Sequence, residues 1–178
     1  MRRPVSTLSS LALVWLLSVP AGAEAPAATP ASKEETAMTH TARGTFEVRL
    51  TPLAPAEGEA DIGAGRMAID KTFRGDLEGT SQGQMLAVRT AVQDSAGYVA
   101  MERVQGELQG RRGSFVFQHS STMDRGEPRQ SVTVLPDSGT GGLEGLSGSM
   151  IIEIEEGEHR YSFEYSLPRP PASEGTPD

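Results

Sequence analysis

Apolar and polar residues alternate along much of this chain. Thr45-Phe46-Glu47-Val48-Arg49-Leu50 sets Phe46, Val48 and Leu50 on one side of an extended chain and Thr45, Glu47 and Arg49 on the other. Gln130-Ser131-Val132-Thr133-Val134 and Tyr161-Ser162-Phe163-Glu164-Tyr165 repeat the pattern. Successive side chains of a strand point to opposite faces, so strict period-2 patterning describes strands buried on one face. No stripe of apolar residues at helical spacing runs through the body of the chain. The alternating runs predict strands over 43–51, 66–78, 80–92, 97–109, 112–123, 128–136, 146–155 and 159–167. They are separated by turn signals at Asp94–Gly97, Gly110–Gly113, Asp124–Gly126, Pro136–Gly139 and Glu155–Gly157. Such short connections join antiparallel neighbours.

Eight strands with no helix to cover them require a sheet that closes or stacks, since open edges pair with other chains. A G-x-L-x-G pattern recurs at Gly75–Gly79 and Gly106–Gly110. Glycine weakens a strand unless sharp coiling or a close backbone approach needs it, as where a small barrel closes. The glycines at 75 and 106 read as strand bends. Those at 79 and 110 fit a bend or a turn equally. The expected fold is all-β, a small closed eight-stranded antiparallel barrel.

The ends read differently. Arg2 and Arg3 precede an apolar run, Leu8–Val19, that is too short to span a bilayer comfortably. Pro20 breaks it, and Ala21-Gly22-Ala23 offers small residues for a signal peptidase. Residues 1–23 are therefore expected to be a signal peptide, giving a periplasmic or secreted protein with no stable membrane insertion after cleavage. Residues 24–41, rich in Ala, Pro, Thr and Glu, read as a flexible linker, and residues 168–178, with four prolines, as a disordered tail. Residues 42–167 form the folded domain. The chain has no cysteine, which excludes disulfides and a lipid-modified N-terminal cysteine. Net charge is −8, and loss of Arg2 and Arg3 with the leader takes it to −10. Such a chain is repelled by phosphate backbones, so nucleic acid is not expected as a partner.

Several stretches carry a resemblance. Gly65-Arg66-Met67-Ala68-Ile69-Asp70-Lys71-Thr72-Phe73-Arg74-Gly75-Asp76-Leu77 is one, and Ala96–Val104, Gly113–Ser120 and Val134–Gly141 are others. Together they resemble a family of small bacterial proteins known as a domain of unknown function, over residues 42–167. Its members are similar in shape to the allene oxide cyclase barrel, an eight-stranded antiparallel barrel related in form to lipocalins. The resemblance implies that fold and no reaction.

Candidate site residues cluster around the run Ser114–Met123. Phe115, Phe117 and His119 share one strand face, and Gln118 lies on the other. On the preceding strand Tyr98, Ala100, Glu102 and Val104 share a face, with Arg103 opposite. A turn near Gly110–Gly113 brings Glu102 and Arg103 to the level of Gln118 and His119. A polar group inside a barrel forms the floor or mouth of a ligand space. Tyr98, Glu102, Arg103, Phe117, Gln118, His119 and Tyr165 are the expected ligand-lining residues. Glu102 and His119 are the candidates for proton transfer, because imidazole titrates near neutrality and carboxylates shift on burial. A structural ion pair is the plain alternative. No cofactor is implied, and His40, His119 and His159 lack metal-binding spacing. Three functions fit: an exported binder of a small, partly apolar molecule, an isomerase or cyclase using Glu102 and His119, or a filled barrel that self-associates as a homo-oligomer.

Overall fold

The computed structural model describes residues 38–55, 58 and 63–168. The expected signal peptide, the linker up to residue 37 and the tail from residue 169 lie outside the described residues. The described chain forms eight strands: β1 (Thr39–Leu53), β2 (Gly65–Gly75), β3 (Leu77–Arg89), β4 (Ala96–Leu108), β5 (Arg111–Asp124), β6 (Glu127–Val134), β7 (Ser147–Glu155) and β8 (Glu158–Ser166). Each pairs antiparallel with its neighbours in the chain, and β8 returns to β1, so the sheet closes into a barrel in simple up-and-down order. A single 3-10 turn, Gly141–Leu143, lies between β6 and β7.

Three hairpins share one turn chemistry. Gln109-Gly110, Arg125-Gly126 and Glu156-Gly157 all take positive φ at both positions, from 45° to 93°. This is the two-residue turn whose twist matches the flanking strands, with glycine second. The β2–β3 hairpin departs from the expected boundary. Its turn falls at Gly75-Asp76, and Gly79 lies inside β3, paired with Phe73 on β2 and Gly106 on β4. The cause is a turn anchored at a distance: Gly75 takes φ +105°, and the Asp76 carboxylate accepts the Arg43 N–H at 2.8 Å, which fastens the turn to β1. The expected linker also ends sooner. Thr39 to Thr41 belong to β1, and His40 pairs with Tyr165 and stacks on its ring at 5.3 Å.

Gly79, Gly106 and Gly113 stand in direct register across β3, β4 and β5. All three occupy inward positions by the alternation of their strands. A β-carbon at Gly79 would lie 2.2 Å from the Gln105 carbonyl oxygen and 2.8 Å from the Gly106 Cα. The strands approach more closely than any side chain permits, which is how the barrel coils tightly here.

The connections after β2, β4 and β6 lie at one end of the barrel, and those after β1, β3, β5 and β7 at the other. The first end is plugged. Leu77, Leu108, Leu143, Leu146 and Leu167 are buried there or beside it, with Phe115, Phe117, Phe163 and Tyr165. The rings meet edge to face, Phe115 to Phe117 at 4.9 Å and Phe117 to Phe163 at 5.3 Å, the arrangement that aromatic quadrupoles favour. Tyr161 sits deep enough to accept the Leu77 N–H at 2.9 Å, and burial pushes its phenol up to about 12. At the second end inward positions remain accessible: Val48, Met67, Met85 and Ile152 are half-buried, and Leu50 is 46% exposed. One end is therefore solid and the other is a mouth.

Candidate functional site: a buried ionic cluster beneath the barrel mouth

Four adjacent strands each send one polar side chain into the interior: Lys71 from β2, Ser81 from β3, Glu102 from β4 and His119 from β5. Register brings them together. Lys71 lies opposite Ser81, Gly83 opposite Glu102, and His119 opposite Ala100, one inward step along β4 from Glu102. Gly83 is required for this: a β-carbon there would sit 2.4 Å from the Met101 carbonyl oxygen and 3.1 Å from the Glu102 Cβ.

Glu102 is fully buried and is the hub. Lys71 Nζ donates to its Oε2 at 2.7 Å, and Ser81 Oγ donates to its Oε1. His119 Nε2 lies 2.9 Å from Oε2 but off the line of an aligned N–H bond, so this buried nitrogen is close to the charge without a proper hydrogen bond. The Lys71 ammonium also stands over the Phe46 ring at 4.7 Å and near the Phe73 ring at 5.8 Å, where the aromatic faces stabilise a cation.

Burial is the largest influence on the Glu102 carboxyl and acts to raise its pKa. The His119 contact, the Lys71 charge and the bonds from Lys71 and Ser81 act together to outweigh it, holding the carboxyl down to about 2. Glu102 is thus an anion across the physiological range. The depressed folded value means the cluster stabilises the fold above the unfolded carboxyl's ordinary 4.5 and loses that contribution as pH falls through about 2. We expect unfolding free energy, measured by urea titration, to drop by about 3 kcal/mol over that acid range. A Glu102→Gln protein should lack this component of the acid slope.

The structure divides the residues expected to line a ligand space. Glu102 and His119 meet inside. Tyr98 faces inward at the mouth, half-buried, its hydroxyl accepting the Gln130 side-chain amide at 3.0 Å. Phe117 is inside but belongs to the packed core. Arg103 and Gln118 are exposed, because each stands one residue from an inward neighbour and the pleat turns it to the outer wall. Tyr165 lies at the plugged end, its hydroxyl on Gln109 at 2.7 Å, and not at an open rim. Lys71 and Ser81 are the members that sequence reasoning missed. A lysine at the inward position between Ile69 and Phe73 is the signal that could have found the first. Ser81 carries none.

A separate groove of about 380 Å³ lies on the outer wall among Asp70, Thr72, Thr80, Gln82, Arg103 and Gln105. It is lined by consecutive residues of β2 and β3, and the side chains of Lys71 and Ser81 leave it toward the interior. Among the described residues no three His, Cys, Asp or Glu side chains converge as metal ligands.

Two comparisons bear on this arrangement. The chain is similar to a solved protein of unknown function from Shewanella oneidensis, 48% identical, with TM-score 0.67. The match covers 74% of this chain and 100% of that one, and that protein is itself ascribed to the DUF3224 family. Residues 42–165, the barrel that carries the buried cluster, match the family model described as protein of unknown function, DUF3224, and the chain belongs to that family.

Proposed function

We propose that the protein is exported and holds a small, partly apolar molecule in the open half of its barrel. The observation that carries this reading is the contrast between the two ends. Inward side chains at the plugged end are buried against one another. At the mouth Val48, Leu50, Met67, Met85 and Ile152 point inward yet keep contact with solvent. Exposed apolar surface with a concave arrangement favours an apolar guest, and a few polar groups beneath it orient that guest. The buried cluster supplies those groups, with the imperfectly partnered His119 Nε2 at its upper level. The leader read from Arg2 to Ala23 supports export.

Native mass spectrometry of the protein purified from its own host tests the reading. A non-covalent adduct is expected, and it should be lost in Leu50→Arg, which sets a charge at an inward site already open enough to tolerate it. A bare-chain mass, together with no saturable uptake of an apolar fluorescent probe, would remove the proposal. Recovery of the protein from the cytoplasm with the leader intact would remove the export half.

A second reading, proton-transfer chemistry by Glu102 and His119, is favoured by their 2.9 Å separation. The rest of the geometry weighs against it. Both carboxylate oxygens are already engaged, by Ser81 and Lys71, and a carboxyl held near 2 is a weak base. The cluster is better suited to fixing charge than to moving protons.

A further inference from the structure

The barrel has a seam. β5 and β6 pair along the length of β6, and β7 and β8 pair along the length of β7, yet a single residue pair, Thr133 with Ser149, bridges β6 to β7. Continuing that register toward the mouth would set Arg129 against Glu153 and Pro128 against Ile154, and no pairing forms there. Beyond that one pair the facing edges of β6 and β7 form no ladder.

The two edges are not equivalent. On β6 the free stretch is Glu127-Pro128-Arg129, which carries charges of both signs and a proline that has no N–H to offer. Edges are commonly blunted against pairing in this way. β7 carries charges of one sign, Glu153 and Glu155, and no proline. Its free stretch, Ile151-Ile152-Glu153-Ile154-Glu155, keeps every backbone N–H, and Ile151 and Ile154 are 63% and 65% exposed. Ile152 and Ile154 take inward positions, while Glu153 and Glu155 stand on the outer wall. Glu153 has no cation within ion-pair distance among the described residues, whereas Glu155 has Arg160 at 3.5 Å.

We propose that the free edge of β7 is a docking site for an extended segment of another polypeptide, added as a strand, whose residues alternate between apolar and basic. The chemistry follows from the edge. An added strand hydrogen-bonds to the main chain and shares the pleat, so one face of it meets Ile152 and Ile154 and the other meets Glu153 and Glu155. Cross-strand pairs of opposite charge are favourable, and like charges directly opposite are not. A second copy of this chain is disfavoured by the same rule, because it brings the acidic β7–β8 hairpin, with Glu153, Glu155, Glu156 and Glu158, against its own kind. The proposal does not depend on a guest in the mouth.

The probe is a fluorescent octapeptide of alternating lysine and valine, read by anisotropy against the full mature protein. Saturable binding is expected. It should weaken about tenfold or more when alternate backbone amides on one peptide edge are N-methylated, since that removes hydrogen bonds at unchanged charge. It should weaken similarly in Glu153→Lys, an exposed position where folding is not at stake. Equal binding of the N-methylated peptide would reduce the effect to charge attraction and overturn the proposal, as would absence of saturable binding. A concentration-dependent dimer in sedimentation that disappears in Ile151→Lys would assign the edge to a second copy and also overturn it.

Discussion

Replacing Glu102 by glutamine will destabilise the barrel by about 3–5 kcal/mol, the largest effect expected of any isosteric substitution in this protein. The loss does not measure what the carboxylate contributes when paired. It measures what is left behind. Lys71 is buried among the Phe46 and Phe73 rings, and Glu102 is the carboxylate within reach of its ammonium. Taking the anion away strands a buried cation, and glutamine keeps one acceptor oxygen where the carboxylate had two, so its amide NH2 confronts either the Lys71 ammonium or the Ser81 hydroxyl. The double replacement Lys71→Met with Glu102→Leu should recover a large part of the stability, because two charges are then exchanged for two side chains of comparable size. Urea unfolding of the three proteins checks both statements. A single substitution costing under about 1 kcal/mol would show that the cluster is solvated and would remove the picture of a buried polar floor.

Gly106→Ala is expected to cost about 3 kcal/mol, or to prevent folding, although it adds one methyl group. The reason is what that methyl would meet. A β-carbon at 106 would sit 2.1 Å from the Glu78 carbonyl oxygen and 2.8 Å from the Gly79 Cα, both backbone atoms of the neighbouring strand. Side chains can rotate away from a clash, whereas a hydrogen-bonded strand has to shift as a whole. Gly110→Ala makes the comparison, since nothing lies within 4 Å of a β-carbon there and only its φ of +85° resists. A melting series should place Gly106→Ala well below Gly110→Ala. The reverse order would mean that the close approach of β3 and β4 is not what shapes the barrel.

The inside-outside assignment of most strands was legible. Phe46, Val132, Val134, Phe163 and the pair Glu102 and His119 all point inward as their alternation requires. The pleat has a period of two and admits no other arrangement once one face is buried. Gly79 was harder. A glycine beside a polar residue looks the same whether it ends a strand or bends one, and the choice depended on Asp76 reaching across to Arg43, a contact between residues far apart in the chain. Val116 shows the opposite case. It stands on the outward face of β5, yet it is buried, because Leu135 and Ser138 of the connection after β6 bond to its backbone and cover it.

The amino-acid order alone settled that this protein is a ring of half-buried strands, with its buried face, most of its turns and the inward pair Glu102 and His119 in place. Alternation, turn residues and charge are local properties, and they act before the chain closes. What closure alone decided is which polar side chains share one space, which end is plugged, and where two neighbouring strands are joined by a single pair. Those outcomes depend on register between strands that the chain brings together from a distance. A shift of two residues in the β2–β3 or the β3–β4 pairing would keep every face correct and still take Lys71 away from Glu102.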